Sequence, residues 1–290
     1  MFRRLWPLIV LLTTQWLSTN AQQLGQNELT DNFIFSVQTI DDFIDRFNFS
    51  PSVPAFRLIK SEHPEINFNR SQAVITLFDK QNLGWNTEDV NAFCRQFEFD
   101  STTYLTYNQI NWYAVLHTKV VYKHKRTKLD VIMMVEPVVI QNSQLMGYKW
   151  SLFSIKAPFW VHQDSILSAD DSLKANPAIS KEGKFLHPMS HALNFMNIEK
   201  IFHKGMTQAF FARKANSPDL RTLVKLVDTD QIRFLQVDNV SYHFLQLPGW
   251  IFKVDYYDRN TPNSGWLISK LIRSSSIDKK EYQLKNLNIK

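Results

Sequence analysis

The feature that most constrains this chain is a change of period near residue 100. Up to there apolar residues recur every three to four positions, and from 102 to 156 the chain turns to β-branched and aromatic runs with strand alternation. In "TIDDFIDRFNF", Ile40, Phe43, Ile44 and Phe47 fall at i, i+3, i+4 and i+7, which predicts an amphipathic helix with Thr39 as its cap and Asp42 three residues on. A second short helix is expected from Asn69, with Val74, Leu77 and Phe78 inward and a stop near Gly84. A third starts at Asn86 or Thr87, carries acidic residues in its first turn and buries Val90, Phe93, Cys94 and Phe97. From residue 102 to 156 the β-branched and aromatic runs "TTYLTYNQINWYAVLHTKVVY", "TKLDVIMMVEPVVI" and "GYKWSLFSIK" read as three or four antiparallel strands, with the polar "YKHKRTK" as a connection. Helices followed by a meander predict an α+β layer.

The same order recurs later. After the polar stretch "SADDSLKANPAISKEGKFLHP", Ser190 can cap a helix through "HALNFMNIEKIFHKG", and Ser217 and Pro218 open "SPDLRTLVKLVDT" with Leu220, Leu223, Val224 and Val227 in one stripe. Strands are expected at about 232–246, 249–258 and 265–273. The organisation is therefore a signal segment over 1–21, an N-terminal α+β domain over 30–156, a linker over 157–189, a C-terminal α+β domain over 190–273 and a basic tail over 274–290. The signal reading rests on Arg3 and Arg4, the apolar run from Leu5 to about Leu17 and small residues ending in Ala21, a run shorter than the roughly 20 residues of a membrane span. It predicts export to the periplasm, envelope or medium.

Charge excludes one class of partner. Without Arg3 and Arg4, 31 basic residues face 27 acidic ones, a net of +4, and residues 270–290 alone carry six basic residues against Asp278 and Glu281. The body from 22 to 269 is balanced at 25 against 25, so no nucleic-acid partner is expected. The tail is expected in solvent, with a weak contact to an anionic surface as its one possible role. Cys94 is the single cysteine, so an intramolecular disulfide is impossible and packing alone must hold the fold.

The order of elements, with "IDDFIDRFNF", "INWYAVLHTKVVYKHKRTKLDVIMMVE", "YKWSLFSIK" and "SHALNFMNIEKIF" as its markers, resembles exported NTF2-like proteins of Bacteroidetes-type bacteria. The resemblance implies a curved sheet wrapped round helices, here as two NTF2-like or cystatin-like halves, with a pocket in the cone used for binding, dimerisation or catalysis. It supplies no catalytic residues.

Alternation along "INWYAVLHTKVVY" puts Asn111, Tyr113, Val115, His117 and Lys119 on one face and Ile110, Trp112, Ala114, Leu116 and Val120 on the other. Tyr113 and His117 would supply a donor and an acid or base, and Asp130 on the next strand, sharing a face with Ile132, Met134 and Glu136, could orient His117. His187, His191 and His203 raise the question of zinc, but Pro188 and Ser190 separate the first from the helix and no carboxylate has ligand spacing, so no metal is expected. In "LPGWIFKVDYYDRNTPNSGWLISKL", Trp250, Phe252, Val254 and Tyr256 form a core face, while Lys253, Asp255 and Tyr257 form a mixed one able to bind a ligand. "DRNTPNSG" is a hairpin loop that would return Trp266 opposite Trp250 or Phe252. The leading expectation is a non-catalytic binding protein for a small ligand or envelope partner, without cofactor. The alternative is an acid–base enzyme, a hydrolase, dehydratase or isomerase, using Tyr113, His117 and Asp130.

Overall fold

A computed structural model describes residues 35–65, 68–99, 103–139, 145–159, 186, 190–191, 195–215 and 217–289. The expected signal segment and nearly all of the expected linker lie outside these residues. The order is α1 (Ile40–Phe47), α2 (Pro54–Glu62), α3 (Arg70–Ile75), α4 (Thr87–Phe99), β1 (Trp112–Tyr122), β2 (Lys125–Val139), β3 (Leu145–Lys156), two 3-10 segments (Met196–Phe202 and Thr207–Phe210), α5 (Pro218–Asp228), β4 (Ile232–Phe244), β5 (Trp250–Tyr257), β6 (Gly265–Arg273) and α6 (Ser276–Leu287).

Local chemistry accounts for the helix starts. Thr39 Oγ1 accepts from the Asp42 N–H at 3.0 Å, Asn69 and Gln72 close a capping box, and Asn86 Oδ1 accepts from the N–H groups of Glu88 and Asp89, each satisfying donors that the first turn leaves open. Ser217 Oγ accepts from Asp219 at the head of α5. The expected helix after Ser190 takes the tighter 3-10 form over Met196–Phe202, entered through Phe195 with φ 55°. Nothing in the period of the sequence foretold α2, which is buried only at Ile59.

The strands form one antiparallel sheet in the order β3-β2-β1-β4-β5-β6. Two meanders meet where β1 pairs with β4, Trp112 opposite Phe244 and Tyr122 opposite Ile232. The strands expected to form a sheet in each half are thus neighbours in a single sheet, and one hydrophobic core among the described residues runs from Val37 to Ile268. The β1–β2 hairpin turns on Lys123 and His124, both at positive φ, as a two-residue turn matching strand twist requires.

Both edges are covered. Val37 pairs with Gly265 and Phe78 with Ile268 along β6, while Leu186 and Phe211 pair with Trp150 and Leu152 of β3. Gly265 is needed where it stands: at φ +85°, a Cβ there would lie 2.0 Å from the Val37 carbonyl oxygen.

The two sheet faces differ. One carries Trp112, Ala114, Leu116, Tyr242, Phe244, Phe252 and Val254 under α1, α3, α4, α5 and the 3-10 segments. The other carries a small cluster of Tyr113, Val115, Ile132, Leu245 and Ile251, closed by Tyr282 and Leu287 of α6. The residues expected as a solvated tail therefore form a capped helix, with Ser275 and Asp278 in a capping box, packed on the sheet. Its Lys279 donates to the carbonyls of Leu245 and Leu247, and Asn288 donates to Asp219 and to the Ile155 carbonyl. The lone cysteine is core: Cys94 is buried, and burial, then Glu98, raises its thiol pKa, which removes it as a nucleophile.

Candidate functional site

Two polar constellations lie on opposite faces of the sheet. On the α6 face, register sets His117 directly opposite Asp130, and the carboxylate accepts from His117 Nδ1 at 2.7 Å. The pairing weighed from the sequence is therefore made. The bonding continues inward: Ser241 Oγ lies 3.4 Å from His117 Nε2 and 3.2 Å from His243 Nε2, and His243 Nδ1 lies 2.8 Å from the Tyr282 hydroxyl. His117 Nδ1–H donates to the carboxylate, and a neutral His243 ring accepts from one of Ser241 and Tyr282 while donating to the other. Burial, then the charges of Lys253, His117 and Lys270, pushes the His243 pKa down to about 3, which keeps that ring neutral. Burial pushes Tyr282 up to about 12, with Asp255 adding to it.

A Ser–His–Asp chain of contacts invites comparison with nucleophilic catalysis. Ser241 is 0% exposed, however, so its oxygen cannot reach an external carbonyl, and the chain serves to satisfy polar groups beneath α6. Tyr113 does not join His117. It is buried under α6, where Gln283 Nε2 donates to its hydroxyl at 2.8 Å, and burial raises its pKa.

The second expected trio also separates. Lys253 and Asp255 pair with each other at 3.0 Å, on the α6 face. Tyr257 turns to the main core beneath the Arg259 guanidinium, 4.1 Å from its ring centre, and burial, then Asp79, pushes its pKa up to about 12. Arg259 in turn pairs with Asp79 at 2.6 Å, and Asn263 donates to the Phe78 carbonyl, so "DRNTPNSG" is a hairpin loop pinned to the helical layer. Trp266 lies opposite Tyr256 and not Trp250 or Phe252, because the seven-residue loop starts β6 at the far end of β5. Of the three histidines, His187 lies outside the described residues, His203 is exposed and His191 is buried; no group of three metal-ligating side chains occurs among the described residues.

One concavity among the described residues is on the helical face, a cleft of about 660 Å³ between the start of α1, β4 and the β5–β6 end. The register against β1 shifts twice along β4, leaving Asp238 and Leu235 as extra residues. Such shifts bend a strand and re-aim its side chains, which turns Gln236, Asp238 and Asn239 toward the cleft together with Phe234 and Val240. Tyr256, expected in the core, lines the cleft and is 47% exposed, with Trp266 buried beneath it at 5.4 Å between ring centres. Gln38 and Thr39 form the α1 side. At the floor, His191 Nε2 donates to Asp41 at 2.9 Å, with the Tyr107 hydroxyl 3.3 Å and the Trp150 indole nitrogen 3.4 Å from its Nδ1.

Sequence reasoning missed this site. Asp41 and His191 are 150 residues apart, a pairing with no local signature. The bend in β4 did leave one: in "IRFLQVDNVSYHF" strict alternation fails between Leu235 and Asn239, where Phe234, Val237 and Val240 are spaced by three. No family model matches the chain, and neither a curated protein nor a solved structure is significantly similar to it. No helix among the described residues is long and apolar enough to cross a membrane.

Proposed function

We propose that the chain is an exported, non-catalytic binding protein of NTF2-like build that holds a small ligand in the cleft on its helical face. The observation that carries this reading is the cleft itself: about 660 Å³, within the roughly 300–1,000 Å³ of small-molecule sites, and lined by both rings and hydrogen-bonding side chains. The strand order, which reads as a three-stranded meander from either edge toward the β1–β4 pair, supports the reading of two related halves fused through one sheet. The acid–base alternative draws support from the 2.7 Å His117–Asp130 contact. It is the weaker reading, because that pair lies on the face opposite the cleft and Tyr113 is bonded elsewhere.

The test is thermal stabilisation by a library of sugars, amines, carboxylates and lipids, with Asn239→Trp as the variant that plugs the cleft from an exposed position. The expected result is at least one compound that stabilises the parent by up to about 2.7 kcal/mol at a hundredfold excess over Kd and leaves the variant unmoved. Equal effects on both proteins, or no stabilising compound, would sink the proposal. Export is checked separately by N-terminal sequencing of the protein from the envelope or medium, with Gln22 as the expected first residue.

A further inference from the structure

Resting on that binding reading, we infer that the ligand of the cleft is a neutral saccharide. Four kinds of observation select this class. No lysine or arginine occurs among the described residues lining the cleft, so a phosphate or carboxylate group would enter without a cation to receive it, at a large desolvation cost. Gln38, Gln236 and Asn239 present side-chain amides there, and each amide both donates and accepts, as a ring bearing many hydroxyls requires.

Asp258, the residue after β5, adds an exposed carboxylate to the lining. Carboxylate oxygens accept from hydroxyls in hydrogen bonds about twice as strong as neutral ones. The other lining carboxylate, Asp238, is already held by Lys119 at 2.7 Å and by the Gln236 amide at 2.8 Å, which also fixes the Gln236 side chain before any ligand arrives.

The aromatic surface argues against two competitors. A quaternary ammonium is held by several exposed ring faces, whereas among the described lining residues Trp266 and Phe195 are buried, Phe234 is half-buried and stacked on Phe202, and the Tyr256 ring stands most clear. One exposed ring beside amides and a carboxylate suits a pyranose, whose apolar face stacks while its hydroxyls point outward. A fatty acyl chain would leave the amides of Gln38, Gln236 and Asn239 without partners on the ligand.

Isothermal titration of the full chain with cellobiose, maltose, chitobiose, glucose 6-phosphate, choline and laurate tests this. At least one neutral disaccharide should bind, glucose 6-phosphate should not, and Tyr256→Ala should weaken binding about tenfold while leaving the melting temperature of the free protein unchanged. Asp258→Asn should weaken it similarly. Binding of choline or laurate, lost in Asn239→Trp, with no disaccharide binding would overturn the saccharide assignment and leave the binding reading standing. Disaccharide binding unaffected by Tyr256→Ala, Asp258→Asn and Asn239→Trp would place the sugar elsewhere and overturn the inference. No binding by any of the six, together with an empty library screen, would remove both.

Discussion

His243 sits between Ser241 and Tyr282 with both ring nitrogens engaged, and its pKa of about 3 against an ordinary 6.5 makes it an acid sensor of stability. Between those values the unfolded chain binds a proton there and the folded chain does not, so stability is full above about pH 6.5 and falls as pH drops. The expected loss is roughly 1 kcal/mol between about pH 7 and about pH 5.5, steepening toward ~1.4 kcal/mol per unit below that. Urea unfolding across this range measures it. His243→Gln should be less stable at neutral pH and show a flatter profile; an unchanged slope would mean that another group sets it. As a contact, the His117–Asp130 pair adds ~1 kcal/mol or less to the fold, because both side chains are about one-third exposed and water screens such pairs.

α6 shows how an element can be hidden in plain sequence. "SIDKKEYQLKNL" is mostly polar, and only Tyr282 and Leu287 are buried, so no apolar stripe announces it. Its capping box was readable in Ser275 and Asp278. What fixes it to the sheet is one leucine, one tyrosine and a set of hydrogen bonds, from Lys279 to the Leu245 and Leu247 carbonyls, from Gln283 to the Tyr113 hydroxyl and between Tyr282 and His243. Leu287→Ala should cost about 2–5 kcal/mol, since the side chain is fully buried, while Leu284→Ala, half exposed on the same helix, should cost less than ~0.5 kcal/mol. Denaturant midpoints compare the two directly, and a solvated tail would show no difference.

At the scale of the molecule, the continuous sheet and single main core tie both runs of helices and strands into one cooperative unit. β1 and β4 share eleven paired positions, and breaking the chain into independent halves would strip that whole ladder. Tryptophan fluorescence and far-UV circular dichroism should report one coincident unfolding transition. Two separated transitions would mean that the halves fold independently.

Local signals in the sequence determined the class and most elements: Thr39, Asn69, Asn86 and Ser217 cap helices where the caps predicted them, and the six strands follow runs of alternating or β-branched residues. They did so because capping and alternation act over a few residues, and the chain carries them wherever it goes. The site was a different matter. That His117 meets Asp130 depends on a register of the β1–β2 hairpin; that Asp41 meets His191 and that Gln236, Asn239 and Tyr256 share one concavity depends on contacts between distant segments. Tyr256 keeps the helical face that alternation assigned to it but stands 47% exposed at the cleft, because no helix covers it there, and Tyr113 left the candidate site because α6 lies over it. Long-range pairing and the cover over each face are properties of the whole packed chain, and only the tertiary structure decided them.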